Sequence, residues 1–318
     1  MNNIISHGIF ADMTIDYAFK RVFGSERYKA ATIGMLNSII KDRKIEDVEF
    51  IANEIPRETD DGKTSIIDVM CREADGTRFV VEMQRGEQKN FQQRTLYYMS
   101  KIISLYDLRS GDNSYNFPCS YMISFLNFPV EQLEGSPKTN GKCYLHYTTQ
   151  EQHSKDKMPS SPEFYFLDLT KAHHDIRNIL NEEEFWVFLL RESKSLKDIP
   201  AQLKGQPSFD AFFNGATLSG YSKDEKLAYE KDMLLKLDIE NSKREAEQKA
   251  YAKGKGEGLA EGEAKGKAKG KAEGLAEGEI KGEAKAQLEI AIKLKAMSIP
   301  TEQIAAATGL SVDEVKKL

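Results

Sequence analysis

Ser65–Gln84 reads SIIDVMCREADGTRFVVEMQ, and its polar interruptions decide how the chain folds. Two short apolar runs flank Asp75-Gly76: Ile66, Ile67, Val69 and Met70 before it, and Phe79, Val80, Val81 and Met83 after it. That pattern predicts two strands joined by a tight hairpin turn. Asp68 interrupts the first strand, and Glu82 and Gln84 interrupt the second. Side chains alternate along a strand, so Glu82 and Gln84 share a face. A loop of two or three residues at Asp75-Gly76 sets Asp68 opposite Glu82 or its immediate neighbour. Two carboxylates then lie close together on strands apolar enough to belong to a core.

Like charges in a poorly polar interior repel, and burial adds a desolvation penalty. A divalent cation is the simplest neutralising agent. Mg²⁺ takes oxygen ligands, accepts one or two carboxylates, and completes its shell with water and phosphate. Such an ion lowers the pKa of a bound water and stabilises charge on phosphodiester oxygens. A protonated pair, or one bridged by Arg72, Arg78 or Arg85, is the other reading of the same residues.

Further motifs carry a resemblance. Asp68 followed by Glu82-Met83-Gln84 resembles the D…(D/E)xK core of the PD-(D/E)XK nuclease superfamily. Within it, the chain is most similar to the Rpn group of recombination-promoting nucleases, often labelled transposases. Asp16 to Gly24, DYAFKRVFG, matches that group's D-x-x-F-K-x-x-F-G opening. Leu36-Asn37-Ser38-Ile39-Ile40 matches its L-N-x-I-L helix, and Phe91-Gln92-Gln93-Arg94 with Tyr97-Tyr98 fits the helix after E-M-Q. The agreement runs from about residue 12 to residue 195 and recurs at the C-terminus.

The resemblance implies an α/β, restriction-endonuclease-like mixed sheet flanked by helices. It also implies Mg²⁺ (or Mn²⁺) as cofactor, DNA as partner and hydrolysis of phosphodiester bonds. Asp68 and Glu82 are the expected metal ligands, helped by the Met83 carbonyl. Gln84 stands where the superfamily usually has Lys; it can orient water by hydrogen bonds but brings no charge. The Rpn group carries Gln there too, so the change is compatible with a slow or tightly regulated enzyme. Arg94 is a candidate to grip a phosphate oxygen, or to form a structural salt bridge with Glu82. Asp16, on the helix beside the site, Lys20, within reach of a phosphate, and Glu54, as a third carboxylate, form a second tier. A non-catalytic DNA-binding or assembly protein on the nuclease scaffold is the alternative, and a toxin-like or defence effector a third. No second acidic triad supports transposition separately.

Composition fits this frame. Over 318 residues the apolar fraction is 40%, the charged fraction 30% and the net charge −5, so no global basic signature marks a nucleic-acid binder. The apolar deficit is local, falling after residue 240. The three cysteines are far apart, show no zinc spacing and read as reduced thiols. His146, His153, His173 and His174 do not recur at metal-ligand spacing. No signal-like or membrane-spanning run occurs, so a soluble cytoplasmic protein without membrane contact is expected.

In chain order, a loose lead-in over 1–12 precedes a helix to Phe23 capped by Thr14 or Asp16, then a helix over about 27–41. A strand over 45–54 is expected to end at Pro56, with a turn at Asp60-Asp61-Gly62-Lys63. A long helix over 88–108 should bury Phe91, Leu96, Met99 and Ile103, with Tyr97 and Tyr98 as core aromatics. Strands follow at 120–128, 143–148 and 163–169, with turn-rich loops near Gly135-Ser136-Pro137 and 158–162. A capped helix over 181–192 and another at about 223–237 close a first domain, 1–238. Glycine then recurs every fourth residue from Gly254 to Gly282 within a Lys/Glu/Ala tract. Each costs a helix about 1 kcal/mol relative to Ala, so residues 239–286 are expected to form a tether or fraying helix. Oligomeric packing along the glycine stripe is the other reading. Residues 287–318 form a small helix-turn-helix-like tail, with a capping box at Ser311–Glu314. The tail suits docking or homo-oligomerisation at least as well as DNA reading.

Overall fold

The hairpin forms around a three-residue loop. The Glu73 N–H donates to the Thr77 carbonyl at 2.9 Å, and Gly76 lies between them at φ +89°. Asp75 accepts the Thr77 N–H at 2.9 Å, fixing the turn. A Cβ on Gly76 would meet the ring of Pro118 at 3.0 Å, so both conformation and space call for glycine.

The computed structural model describes residues 8–55, 65–86, 88, 90–106, 117–133 and 143–318. The expected stop at Pro56, the turn at residues 60–63, the loop at residues 135–137, the end of the 88–108 helix and the first seven residues lie outside these. The elements in chain order are α1 (Asp16–Phe23), α2 (Lys29–Ile39), β1 (Glu49–Phe50), β2 (Glu54–Ile55), β3 (Ser65–Ile66), β4 (Val69–Arg72) and β5 (Arg78–Gln84). They continue with α3 (Phe91–Tyr106), β6 (Ser120–Leu126), β7 (Tyr144–Tyr147), β8 (Glu163–Asp168), α4 (Glu182–Glu192) and α5 (Pro207–Ala216). The last are α6 (Lys223–Ala296), α7 (Thr301–Thr308) and α8 (Val312–Lys317). They divide into two compact units, residues 1–238 and 239–318.

The first unit is built on a six-stranded mixed sheet of order β1-β4-β5-β6-β8-β7. Its centre, β5-β6-β8, is parallel, while β1, β4 and β7 are antiparallel to their neighbours. The centre is covered on both faces, which is why SYMISFL in β6 is an almost unbroken apolar run. On one face, Phe79, Val81 and Ile123 join Phe19 and Phe23 of α1, Met35 of α2, Trp186 of α4 and Phe212 of α5 in one core. On the other, Val80, Met70 and Met122 pack on Met99 and Ile102 of α3. This is the PD-(D/E)XK-type mixed sheet with flanking helices expected from the sequence.

Several elements differ from expectation for identifiable reasons. The run 45–54 forms only the two-residue strands β1 and β2. The Asn37 amide takes both the N–H and the C=O of Ile45, each at 2.8 Å, so that backbone needs no ladder partner. The start of α1 is capped by neither Thr14 nor Asp16; Ile15 occupies the cap position without a side-chain bond, and Thr14 bonds to Asp12. The lead-in is not loose where described: Phe10 and Ala11 are buried, and the Ala11 N–H reaches the Ala216 carbonyl at 2.8 Å.

Helix α3 is rotated from its expected stripe. Phe91, Thr95, Met99 and Ile102 face inward, whereas Leu96 and Tyr97 are 55% and 51% exposed. Thr95 tolerates burial because its hydroxyl donates to the Gln92 carbonyl at 2.8 Å. Helix α4 forms as read: the Asn181 side chain accepts the Glu184 N–H, and three glutamates fill the first turn.

Helix α6 runs through Ala296 rather than ending near 237. Its glycine tract is exposed and carries Lys–Glu pairs four apart, such as Glu261–Lys265 and Lys269–Glu273. In the second unit, Ala291, Ile304 and Val315 form a small core. Gly309, at φ +75°, ends α7, and the Ser311–Glu314 capping box opens α8. No helix among the described residues is long and apolar enough to cross a membrane.

Candidate active site

Antiparallel pairing of Val69 with Val81 sets Asp68 opposite Glu82 one step further along. Asp68 does not continue the strand. The chain bends there, between β3 and β4, and the Asp68 Oδ2 accepts the Met83 N–H at 2.7 Å. Asn53 holds the bend from the other side, donating to the Ile67 carbonyl at 2.7 Å. The carboxylate is thus fixed by backbone on a neighbouring strand.

Glu82 shares the Val80 face of β5 and is 8% exposed. Burial, then the charge of Asp68, then a hydrogen bond with Asp68 raise its pKa to about 9, against opposing pulls from Arg94 and Lys20. Asp68 is also raised, by burial first; the Met83 N–H and Lys20 work against burial, and Asp16 works with it. The two acids therefore form one strongly interacting pair in which the protonated form is favoured.

Lys20 is the cation on Asp68. Its Nζ lies 3.4 Å from Asp68 Oδ1 and 3.0 Å from Asp16 Oδ2. The opening motif now has a physical meaning. Phe19 and Phe23 bury α1 against the core, Lys20 emerges beside Asp68, and Asp16 holds the ammonium one turn back. Gly24 lets α1 end against β4, since a Cβ there would meet the Lys20 carbonyl at 2.8 Å and Val69 at 3.4 Å. Side-chain exposure rises from 14% at Asp68 to 32% at Lys20 and 38% at Asp16, so Asp68 is reached from the α1 side. A cleft of about 210 Å³ opens there, lined by Lys20, Gly24, Phe50, Asn53 and Asp68.

Gln84 and Arg94 form a second group on the α3 face. Arg94 donates from Nη2 to the Gln84 Oε1 at 2.6 Å and from Nη1 to Gln88, and lies over the rings of Phe91 and Tyr98. The Gln84 Nε2 donates to the Gly86 carbonyl at 2.6 Å. Arg94 is thus the partner of Gln84, and Glu82 feels its field.

Glu54 is not brought to the pair. It is exposed on β2, opposite Ile66, and among the described residues no group of three or more His, Cys, Asp or Glu side chains is placed to hold a metal. Arg21, the next residue on α1, is a structural residue. It bridges to Glu225 at 2.8 Å and lies over Tyr221. Of the arginines considered as partners for the pair, Arg72 bridges to Glu49. Two neighbours escaped the sequence reading. Asn53 sits in a stretch read as plain strand. Ser124, fully buried on β6 opposite Glu82, has an Oγ without a hydrogen-bond partner among the described residues. Its signal was a hydroxyl within the apolar SYMISFL run, at the register step of the acid.

The donor set suits a hard, water-retaining cation. Two carboxylates, repelling each other while buried, would lose that repulsion on binding a divalent ion. Two protein carboxylates are what Mg²⁺ takes, whereas zinc and calcium sites draw on larger protein ligand sets. No curated protein and no solved structure matches the chain. Residues 13–246, a span containing the whole hairpin, α1 and α3, match the PD-(D/E)XK nuclease family transposase. With its mixed sheet, its flanking helices and the D…ExQ hairpin at its centre, the chain belongs to the PD-(D/E)XK nuclease family transposases.

Proposed function

We propose that the protein is a Mg²⁺-dependent DNA endonuclease with a role in recombination or transposition. The observation that carries this reading is the buried Asp68–Glu82 pair, whose Glu82 is pushed up to about 9 by burial and by its neighbour. A scaffold has no use for two mutually repelling acids on core strands, whereas a cation site does. Asp68 and Glu82, with the Met83 carbonyl, would hold Mg²⁺ or Mn²⁺. When bound, the ion supplies water of lowered pKa and positive charge beside the phosphoryl oxygens.

The chain's own residues do the positioning. The Met83 N–H and the Asn53 clamp fix Asp68, and the hairpin register fixes Glu82 against it. Val80, Met70 and Met99 pack the α3 face beside Glu82, and the cleft at Asp68 opens past α1. In the reaction, water oxygen attacks phosphorus as the bond to the departing sugar oxygen breaks. The water proton passes to solvent and the leaving oxygen is protonated, so a phosphodiester becomes a phosphomonoester and an alcohol.

The test is nicking of supercoiled plasmid with Mg²⁺ or with EDTA, by the wild type, Asp68→Ala and Glu82→Ala. Cleavage should require the ion and fall at least about 100-fold in each variant. Equal cleavage by all three proteins removes the metal-site reading.

A further inference from the structure

Gln84 leaves the acid pair without the lysine that the superfamily usually places two residues after its second acid. In this chain Gln84 is also largely committed. Its Oε1 is held by Arg94, and one N–H of Nε2 is given to Gly86, each at 2.6 Å. Arg94 in turn directs one nitrogen at Gln84 and another at Gln88. The ammonium of Lys20 reaches Asp68 from a different element, 3.4 Å from its Oδ1.

We propose that Lys20 of α1 is the catalytic cation of the site, standing in for the lysine absent at Gln84. An ammonium has three N–H donors. Asp16 and Asp68 engage two, and the third is available to an oxygen of a scissile phosphate drawn to the pair. As water attacks phosphorus, negative charge builds on those oxygens, and a fixed donor stabilises it more than it stabilises bound DNA. Lys20 keeps its proton throughout and forms no covalent bond. Three features place it. Burial of Phe19 and Phe23 anchors α1 in the core, Asp16 restrains the side chain one turn back, and Gly24 allows the close approach of α1 to β4. Its 32% exposure leaves the ammonium open to the cleft it lines with Asp68.

The inference rests on the nuclease reading, and two readouts separate their failures. The first is kcat for plasmid nicking at saturating Mg²⁺. The second is Mn²⁺ binding by calorimetry without DNA. Lys20→Met should lower kcat about 100-fold, with KM for DNA changed by less than about threefold. Lys20→Arg, which keeps a charge there, should recover at least about tenfold of the loss. Mn²⁺ affinity should rise in Lys20→Met by about threefold or more, because a positive charge beside Asp68 has been removed. A merely structural lysine would weaken Mn²⁺ binding when lost.

Lys20→Met leaves Asp16, Asp68 and Glu82 without their ammonium and could fail to fold. Lys20→Met/Asp16→Asn removes cation and partner together, and should show the same loss of kcat. A kcat within about twofold of wild type in either variant overturns the assignment, as does a loss confined to KM or a fall in Mn²⁺ affinity. A wild type that binds Mn²⁺ but never nicks DNA overturns the nuclease reading and this inference together. A wild type that nicks as fast as its Lys20 variants overturns the inference alone.

Discussion

Glu82 is where proposed function and stability pull apart. Its folded pKa of about 9 lies above the ordinary 4.5. For an acid raised in this way, the folded state holds the proton more tightly than the unfolded chain does. Without metal, its contribution therefore leaves stability untouched below about pH 4.5 and erodes it as pH rises toward 9. Glu82→Gln removes the ionisation and keeps the shape. Thermal melts in EDTA should show this variant melting above wild type at pH 8 and level with it near pH 4.5, while its nicking activity is lost. Excess Mg²⁺ should raise the wild-type midpoint at pH 8 and leave the variant's unmoved. A variant less stable than wild type at pH 8 would mean that the Glu82 carboxylate is well solvated.

At the scale of elements, patterns set by one residue and its neighbours were legible, and patterns set by distant partners were not. The β4–β5 hairpin was readable because a D-G turn and two apolar runs specify it locally, and its register carried Asp68 to Glu82. The bend at Asp68 was not, since it depends on Asn53, fifteen residues upstream, and on a backbone N–H across the sheet. The missing strand at 45–48 likewise depends on the Asn37 amide of α2. The apolar face of α3 is not legible locally, because Leu96 looks more buriable than Thr95 and only the neighbouring sheet decides between them.

Helix α6 poses the opposite problem, since its glycine tract is helical without tertiary support among the described residues. Among the described residues, nothing lies within 4 Å of a Cβ built on any glycine from Gly254 to Gly282. Each glycine costs about 1 kcal/mol relative to Ala, and each Glu–Lys pair returns only a few tenths. The tract should therefore open locally far more often than the sheet. Gly262→Ala, Gly266→Ala and Gly270→Ala together should slow amide exchange there about 100-fold, with no loss elsewhere. Unchanged exchange would mean that a partner already holds the glycine face.

Across the whole first unit, closure depends on Asp12, in a segment the sequence presents as a lead-in. Its Oδ2 takes Lys194, just after α4, at 2.9 Å and Lys236 of α6 at 3.0 Å. Its Oδ1 takes the Thr14 hydroxyl at 2.6 Å, and the Tyr229 hydroxyl accepts its N–H. One carboxylate thus ties the start of the fold to segments about two hundred residues later. Burial by itself would raise the Asp12 pKa, but Lys236, Lys194 and Thr14 overcome it and hold the group at about 2, below the ordinary 3.8. A depressed pKa stabilises the fold above pH 3.8, and the contribution fades as pH falls toward 2. The difference corresponds to about 2 kcal/mol at neutral pH. Asp12→Asn should therefore lower urea-unfolding stability by that amount at pH 7, with the gap to wild type closing as acid approaches pH 2. Because Asp12 lies on none of the elements that carry Asp68, Glu82 or Lys20, folded Asp12→Asn should bind Mn²⁺ as wild type does. A pH-independent gap would assign the loss to packing rather than to the two lysines.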